Sequence, residues 1–429
     1  MLDRTIPPVI QPASLTFRKP TAHVLRNGIP LHVIEAGGMG AVRIDFVFSA
    51  GQYQQARKLQ ALFACRMLRE GCRGYTAAAF AERLDYYGAW LELSVAMNRT
   101  FVTLYTLKKH FAATLELLQR MLFEPSYNEE QFRIVCDNNK AHLMVNLQKG
   151  DVLAMRALRH SVYGEAHPCG MQTNPKDYDT LQVADLVDYY RRHYGARTCQ
   201  IYLAGDVDDA LLSRVDSLFG DVEWGGATEI SKGWTEFCSI GVGDTPNSQI
   251  IKLDGAVQDS IRLGCLSVDI NHPDYLSLRV LITILGGYFG SRLMKNVREA
   301  KGYTYHIGSD LVTNTPQTLF LVHCEAQSGK ADEVIEEVRR EMLRLHTEPV
   351  SDEELRMVRN YMTGEICRNY ESAFSLADAY IFMDHLGLPQ TRIERTLEAI
   401  SNTDSRRLQE LAQHYFHPEK LHSVVVTGA

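Results

Sequence analysis

A stretch near the middle of the chain returns at its end, and this repetition limits the available folds more than any other feature. LVDYYRRHYGARTCQIYLAG at 186–205 lines up with LQELAQHYFHPEKLHSVVVTG at 408–428, placing His193-Tyr194 against His414-Tyr415. Both copies read as helix, loop, strand and glycine. Glu129-Glu130…Ile134 pairs in the same way with Glu353-Glu354…Val358. The offsets are 221 and 224 residues, each near half of the 429-residue chain. Two matches at almost one offset predict a duplicated unit. The join is expected in the Gly-rich polar segment 225–233, dividing the chain into residues 1–228 and 229–429.

Local patterns fill in each half. Pro7, Pro8, Pro12 and Pro20 forbid a continuous helix at the start. His23–Leu25 and Leu31–Ile34 flank Asn27-Gly28 and predict a hairpin, followed by a strand at Val42–Phe48. Leu59, Leu62, Phe63, Met67 and Leu68 recur at helical spacing over 56–69. Helices are also expected at 129–147 and 184–194, and a strand at 198–204. The second half predicts strands at 249–253, 260–268 and 318–324, and helices at 276–285 and 331–345. Ser351 with Glu354 reads as a capping box for a further helix.

The stretch LGGYFGSRLMKNVREAKGYTYHIGS, residues 285–309, is the densest in chemistry. An apolar run ends at Gly286-Gly287. A short helix follows, with Leu293 and Val297 on one face and Arg292, Lys295, Arg298 and Glu299 on the rest. Gly302 stops it, and Tyr303–Ile307 reads as a strand.

Bulk properties exclude several classes. The net charge of −7 gives no basic surplus for nucleic acid or an anionic membrane. No apolar run approaches the roughly 18 residues that a membrane helix needs, and the N-terminus carries no apolar core of signal-peptide length. Cys65, Cys72, Cys136, Cys169, Cys199, Cys238, Cys265, Cys324 and Cys367 are scattered and odd in number. They read as free thiols in a reducing compartment, so a cytoplasmic location is expected.

The motifs at 285–309 resemble the second-domain signature of the insulinase/pitrilysin family of zinc metallopeptidases. That family shows Ser-Arg-Leu, then Leu/Val-Arg-Glu, then Gly-x-x-Tyr. Here these are Ser291-Arg292-Leu293, Val297-Arg298-Glu299 and Gly302-Tyr303-Thr304-Tyr305. The resemblance implies an α+β fold of two similar domains, each a mostly antiparallel sheet covered by helices, with a chamber enclosed between subunits.

Active family members carry H-x-x-E-H on the first-half helix, two histidines holding zinc and a glutamate activating the metal's water. The family continues with Met-Leu-x-x-Gly-Thr, matched by Met67-Leu68-Arg69-Glu70-Gly71-Cys72 with Cys72 for threonine. Counting back, the three motif positions hold Leu62, Cys65 and Arg66. The place of a further zinc-binding glutamate falls at or near Asn139. Leucine has no donor atom and arginine is always protonated, so no zinc is expected in this chain. Arg66 would put a fixed positive charge where zinc sits in active subunits, or lie at the surface with its stem buried. Cys65 with Cys72, His414 with His417, and His167 before Pro168 read as packing or helix-end residues, because a metal site needs three or four convergent ligands.

Arg298 and Tyr305 are the strongest substrate-binding candidates. A guanidinium offers five fixed donors and a phenol one more, suited to the carbonyl row of an extended peptide. In heterodimeric relatives one subunit carries the zinc motif and the other such an Arg and Tyr pair. The resemblance therefore implies a zinc-free, substrate-binding subunit beside a zinc-bearing partner, with a homodimer or a non-enzymatic scaffold, like the family's respiratory-complex core proteins, as alternatives. In the alternative for the pair itself, Arg298 meets a nearby carboxylate and Tyr305 packs in the sheet.

Overall fold

A computed structural model describes residues 15–222, 224–225, 248–313 and 317–428. The expected join at 225–233 lies, apart from Gly225, outside the described residues.

The strands are β1 (Thr21–Val24), β2 (Pro30–Glu35), β3 (Ala41–Phe48), the short pair β4 (Gly71–Cys72) and β5 (Tyr75–Thr76), β6 (Trp90–Val95), β7 (Thr100–Leu107), β8 (Cys199–Gly205), β9 (Ser248–Lys252), β10 (Gln258–Asp269), β11 (Thr304–Val312), β12 (Gln317–Gln327) and β13 (His422–Thr427). They form one sheet in the order β1-β2-β8-β3-β7-β6 and another in the order β11-β12-β10-β13-β9. Apart from β1, the two orders are the same, β2-β8-β3-β7-β6 against β9-β13-β10-β12-β11. Each sheet has one parallel pair in the same place, β2 with β8 and β13 with β9. The remaining neighbours run antiparallel. This is the α+β arrangement of helix-covered, mostly antiparallel sheets.

The helices do not stay with their own sheet. Helix Gly150–Tyr163, from the first half, lays Ala154, Leu158 and Val162 against Leu319 and Leu321 of β12 and Val424 and Val426 of β13. It can begin this close because residue 150 is glycine; a Cβ there would stand 2.6 Å from the Ser260 hydroxyl on β10. In return, helix Ala373–His385 packs Ala373, Leu376, Ala377 and Tyr380 into a cluster that includes Ile34, Val47, Tyr202 and Ala204 of the first sheet. Polar contacts lock this exchange. Arg43 on β3 is buried beside Asp45 and reaches Asp378 at 2.6 Å and the Phe374 carbonyl at 3.0 Å. The Tyr202 hydroxyl donates to Asp384. A buried cation with partners on both elements fixes their register, since losing one partner leaves a desolvated charge.

Several elements differ from the sequence expectation for local reasons. The hairpin forms, but the strands are joined through Leu25–Ile29, and of Asn27-Gly28 only the glycine takes positive φ, at +90°. Asn27 instead donates to the Phe219 carbonyl at 2.7 Å. The helix expected over 56–69 is regular only at Gln60–Arg66, because the Gln60 side chain accepts the backbone N–H of Ala56 at 2.8 Å and holds residues 56–59 outside it. A tighter turn, Met67–Arg69, ends it. Helix Tyr275–Ile282 opens into a wide turn, Thr283–Gly287, where Gly286 lies against Ser309; a Cβ there would meet its backbone nitrogen at 2.6 Å.

Candidate functional site

Arg298 sits on a wide helical turn, Met294–Ala300, whose geometry is set by its neighbours. Leu293 and Val297 are fully buried and fix one face. On another side, Asn296 donates to Glu337 at 2.9 Å and Glu341 at 2.7 Å, and Lys301 reaches Glu337 at 2.6 Å. Arg292 makes a two-pronged pair with Glu354, at 3.0 and 2.9 Å. The expected capping box at Ser351 is therefore half made. Ser351 accepts from the Glu354 N–H at 3.2 Å, but the Glu354 carboxylate is drawn away to Arg292.

These carboxylates are engaged by other cations, and Arg298 has no ion-pair partner among the described residues. Its guanidinium carbon lies 4.5 Å from the ring centroid of Phe289 and 4.9 Å from that of Tyr305. Both rings stand open, with Phe289 65% and Tyr305 81% exposed. The packed-in-the-sheet reading of Tyr305 does not hold. A cation over two aromatic faces is ordered by their quadrupoles while its N–H donors stay available.

A bulge puts Tyr305 there. Gly302 ends the turn at φ +66°. On β11, Thr304 faces Ala326 and His306 faces Glu325, so Tyr305 is an extra residue with no cross-strand partner. The Thr304 hydroxyl holds the bulge by donating to the Glu325 carbonyl at 2.6 Å and accepting from the His306 N–H at 3.1 Å. Bulges of this kind re-aim a side chain. His306 follows, its imidazole pushed down by burial and then by His323 and Arg298. Phe289 was not singled out from the sequence; the only signal was an aromatic residue between glycines in Gly287-Tyr288-Phe289-Gly290.

At the metal-motif positions, Cys65 is buried and its thiol pushed up to about 12 by burial, so it stays protonated at neutral pH. Leu62 and Arg66 are half-buried. Burial works against the Arg66 charge, with the Tyr178 phenol nearby. Asn139 is used within its own helix, donating to the Val135 carbonyl at 2.7 Å. Among the described residues no three His, Cys, Asp or Glu side chains converge to hold a metal ion. The weaker candidates have structural roles. Cys72 lies in β4, outside the Cys65 helix. His167 is buried, stacked on Tyr163 and accepting from the Cys169 N–H at 3.0 Å. His417 contacts the His414 carbonyl at 2.9 Å. The cysteines among the described residues are free, and no helix there is long and apolar enough to cross a membrane.

Comparison with known proteins bears on the family and the fold. Residues 180–362 match the family model described as peptidase M16 inactive domain. The chain is 21% identical over 360 residues to an uncharacterized zinc protease, YmxG, of Bacillus subtilis, covering 82% of this chain and 85% of that protein. It is 23% identical over 252 residues to the non-peptidase homolog YmxG of Helicobacter pylori, covering 58% and 56%. Among solved structures, it is similar to a peptidase M16 inactive domain from Pseudomonas fluorescens, with TM-score 0.82, 20% identity and coverage of 96% and 98%. A protease from Helicobacter pylori gives TM-score 0.86 at 15% identity, covering 96% and 100%.

Proposed function

We propose that this chain, whose residues 180–362 match the peptidase M16 inactive domain, is the zinc-free, substrate-holding subunit of a peptide-degrading heterodimer in the cytoplasm. The observation that carries the reading is Arg298, held between Phe289 and Tyr305 with no carboxylate partner among the described residues. Its donors are directed by stacked rings rather than spent on an ion pair. An extended peptide offers carbonyl acceptors to such a group, and each hydrogen bond from a charged donor is worth about 1.5–3 kcal/mol.

The partner would supply the metal and the water-activating glutamate that positions 62, 65 and 66 lack here. This chain's own residues bind and orient. The guanidinium of Arg298 and the hydroxyl of Tyr305 hold backbone carbonyls, and Phe289 keeps the guanidinium plane in place. Ordering a flexible peptide beside a reactive centre lowers the barrier by removing translational and rotational freedom in advance.

The test is to purify the chain alone and together with an M16 partner that carries H-x-x-E-H, and to measure zinc content and peptide cleavage. The reading expects metal and cleavage only with the partner present. Stoichiometric zinc and full cleavage in the lone chain would overturn it, and a chain that joins only non-peptidase partners would point to a scaffold.

A further inference from the structure

The two sheets treat a buried arginine differently. In the first, every side-chain nitrogen of Arg43 on β3 is bonded. Nε and Nη2 donate to Asp45, Nη2 also to Asp378 at 2.6 Å, and Nη1 to the Phe374 carbonyl at 3.0 Å. Asp378 and Phe374 come from the crossing helix Ala373–His385. The second sheet carries Arg262 on β10, the strand in the place of β3, and buries it to 8% exposure. Its hydrogen bonds leave from Nη1 alone, to the Ile261 carbonyl at 2.9 Å and the Cys324 carbonyl at 3.4 Å. Nη1 also lies 2.8 Å from the Glu325 carboxylate. Among the described residues neither Nε nor Nη2 has a hydrogen-bond partner.

The helix that crosses this sheet supplies none. Helix Gly150–Tyr163 begins beside Ser260, and an open cavity of about 600 Å³ lies between the helix start and the sheet. Ser260, Arg262, His323 and Glu325 line it from the strands, Gly150 and Asp151 from the helix. No side chain caps this helix, and the first N–H groups of a helix have no partner within it. None of Phe289, Arg298 and Tyr305 lines the cavity.

A buried guanidinium with unused donors and an uncapped helix start both favour an acceptor of negative charge. Glu325 is already engaged, by Arg262 and by the Ser260 hydroxyl. Asp151 and Asp254 also line the cavity, but both are exposed and their charges are screened by water and salt. They set a limit on charge, opposing a dianion more than a monoanion. We infer that the cavity binds a single carboxylate, which gives Arg262 the acceptor that Asp378 gives Arg43. A small organic acid and the free end of a peptide chain both carry that group. The volume lies in the range of small-molecule sites. This site goes beyond the clamp, whose donors hold backbone carbonyls.

NMR titration of the full chain with propionate and propionamide tests it. The two have one shape and differ in charge, so the comparison needs no variant. Propionate should bind in the millimolar range, and propionamide about tenfold more weakly or worse. Inorganic phosphate, as the dianion, should bind more weakly than propionate. N-acetyl-alanine separates the two sources: binding tighter than propionate assigns the site to a chain end, weaker binding to a small acid, and both support a carboxylate site. Arg262→Gln should erase the preference for propionate over propionamide. That change strands Glu325, so Val257→Trp is the second variant. Val257 lines the cavity and is 85% exposed, and a larger side chain there should weaken propionate binding several-fold without disturbing the fold. Equal binding of propionate and propionamide, phosphate bound more tightly than propionate, or propionate binding unchanged in both variants would overturn the proposal. So would the absence of propionate binding at about 50 mM. Cleavage is not read, so the clamp and this site fail separately.

Discussion

The guanidinium of Arg298 lies 4.9 Å from the ring of Tyr305, whose hydroxyl is left open by a one-residue bulge in β11. In the proposed clamp, ring and hydroxyl have separable jobs, one ordering the arginine and the other bonding the peptide. Tyr305→Phe keeps the ring, so it should cost the reconstituted pair about threefold to tenfold in cleavage rate, the worth of one neutral hydrogen bond. Tyr305→Ala removes both and should cost more. Steady-state rates on one peptide compare the two; no loss with Tyr305→Phe would mean the hydroxyl makes no contact, and equal losses would mean the ring orders nothing.

The Arg292–Glu354 pair anchors the turn that carries the clamp. Its side chains are 12% and 16% exposed, so each charge depends on the other. Arg292→Ala strands Glu354 and should destabilise the fold by roughly 2–4 kcal/mol. Chemical denaturation measures this. A loss below about 0.5 kcal/mol, the scale of an exposed pair, would show that Glu354 finds water instead.

Acid should weaken the fold before most carboxylates titrate. Burial, with Arg99 adding to it, pushes the His385 imidazole down to about 4 from its ordinary 6.5. Between those values the unfolded chain takes up a proton that the folded chain refuses. The contribution is therefore complete above pH ~6.5 and is lost as pH falls toward 4, up to about 3 kcal/mol. His32, His167 and His422 are lowered by burial in the same direction. Melting temperatures across this window should fall, and His385→Gln should flatten the slope. An unchanged slope would place the loss elsewhere.

Leu158 is fully buried where a first-half helix crosses onto the second sheet. Leu158→Ala should cost about 2–5 kcal/mol by opening a cavity there. Because the helices are exchanged in both directions, amide exchange should quicken in both sheets together. Loss of protection in the second sheet alone would mean that the halves unfold independently.

Much of this was legible in the sequence, and the limits have physical causes. The repeat at 186–205 and 408–428 pointed to two like sheets, which the matching strand orders bear out. Arg298 and Tyr305 stood out through motif spacing. Phe289 did not, because its place over Arg298 depends on a wide turn that no local pattern encodes. An apolar stripe such as Ala154, Leu158 and Val162 announces a buried helix face but does not say which sheet receives it. Glu354 looked like half of a capping box because sequence shows the local partner, Ser351, and hides the distant one, Arg292.

The clamp itself is tested most directly by the cleavage rate of the reconstituted pair with Arg298 replaced by alanine. Loss of a charged donor at the peptide backbone should lower kcat/KM by about tenfold to a hundredfold, with zinc content and assembly unchanged. A rate equal to that of the unaltered pair would contradict the assignment of Arg298 to substrate.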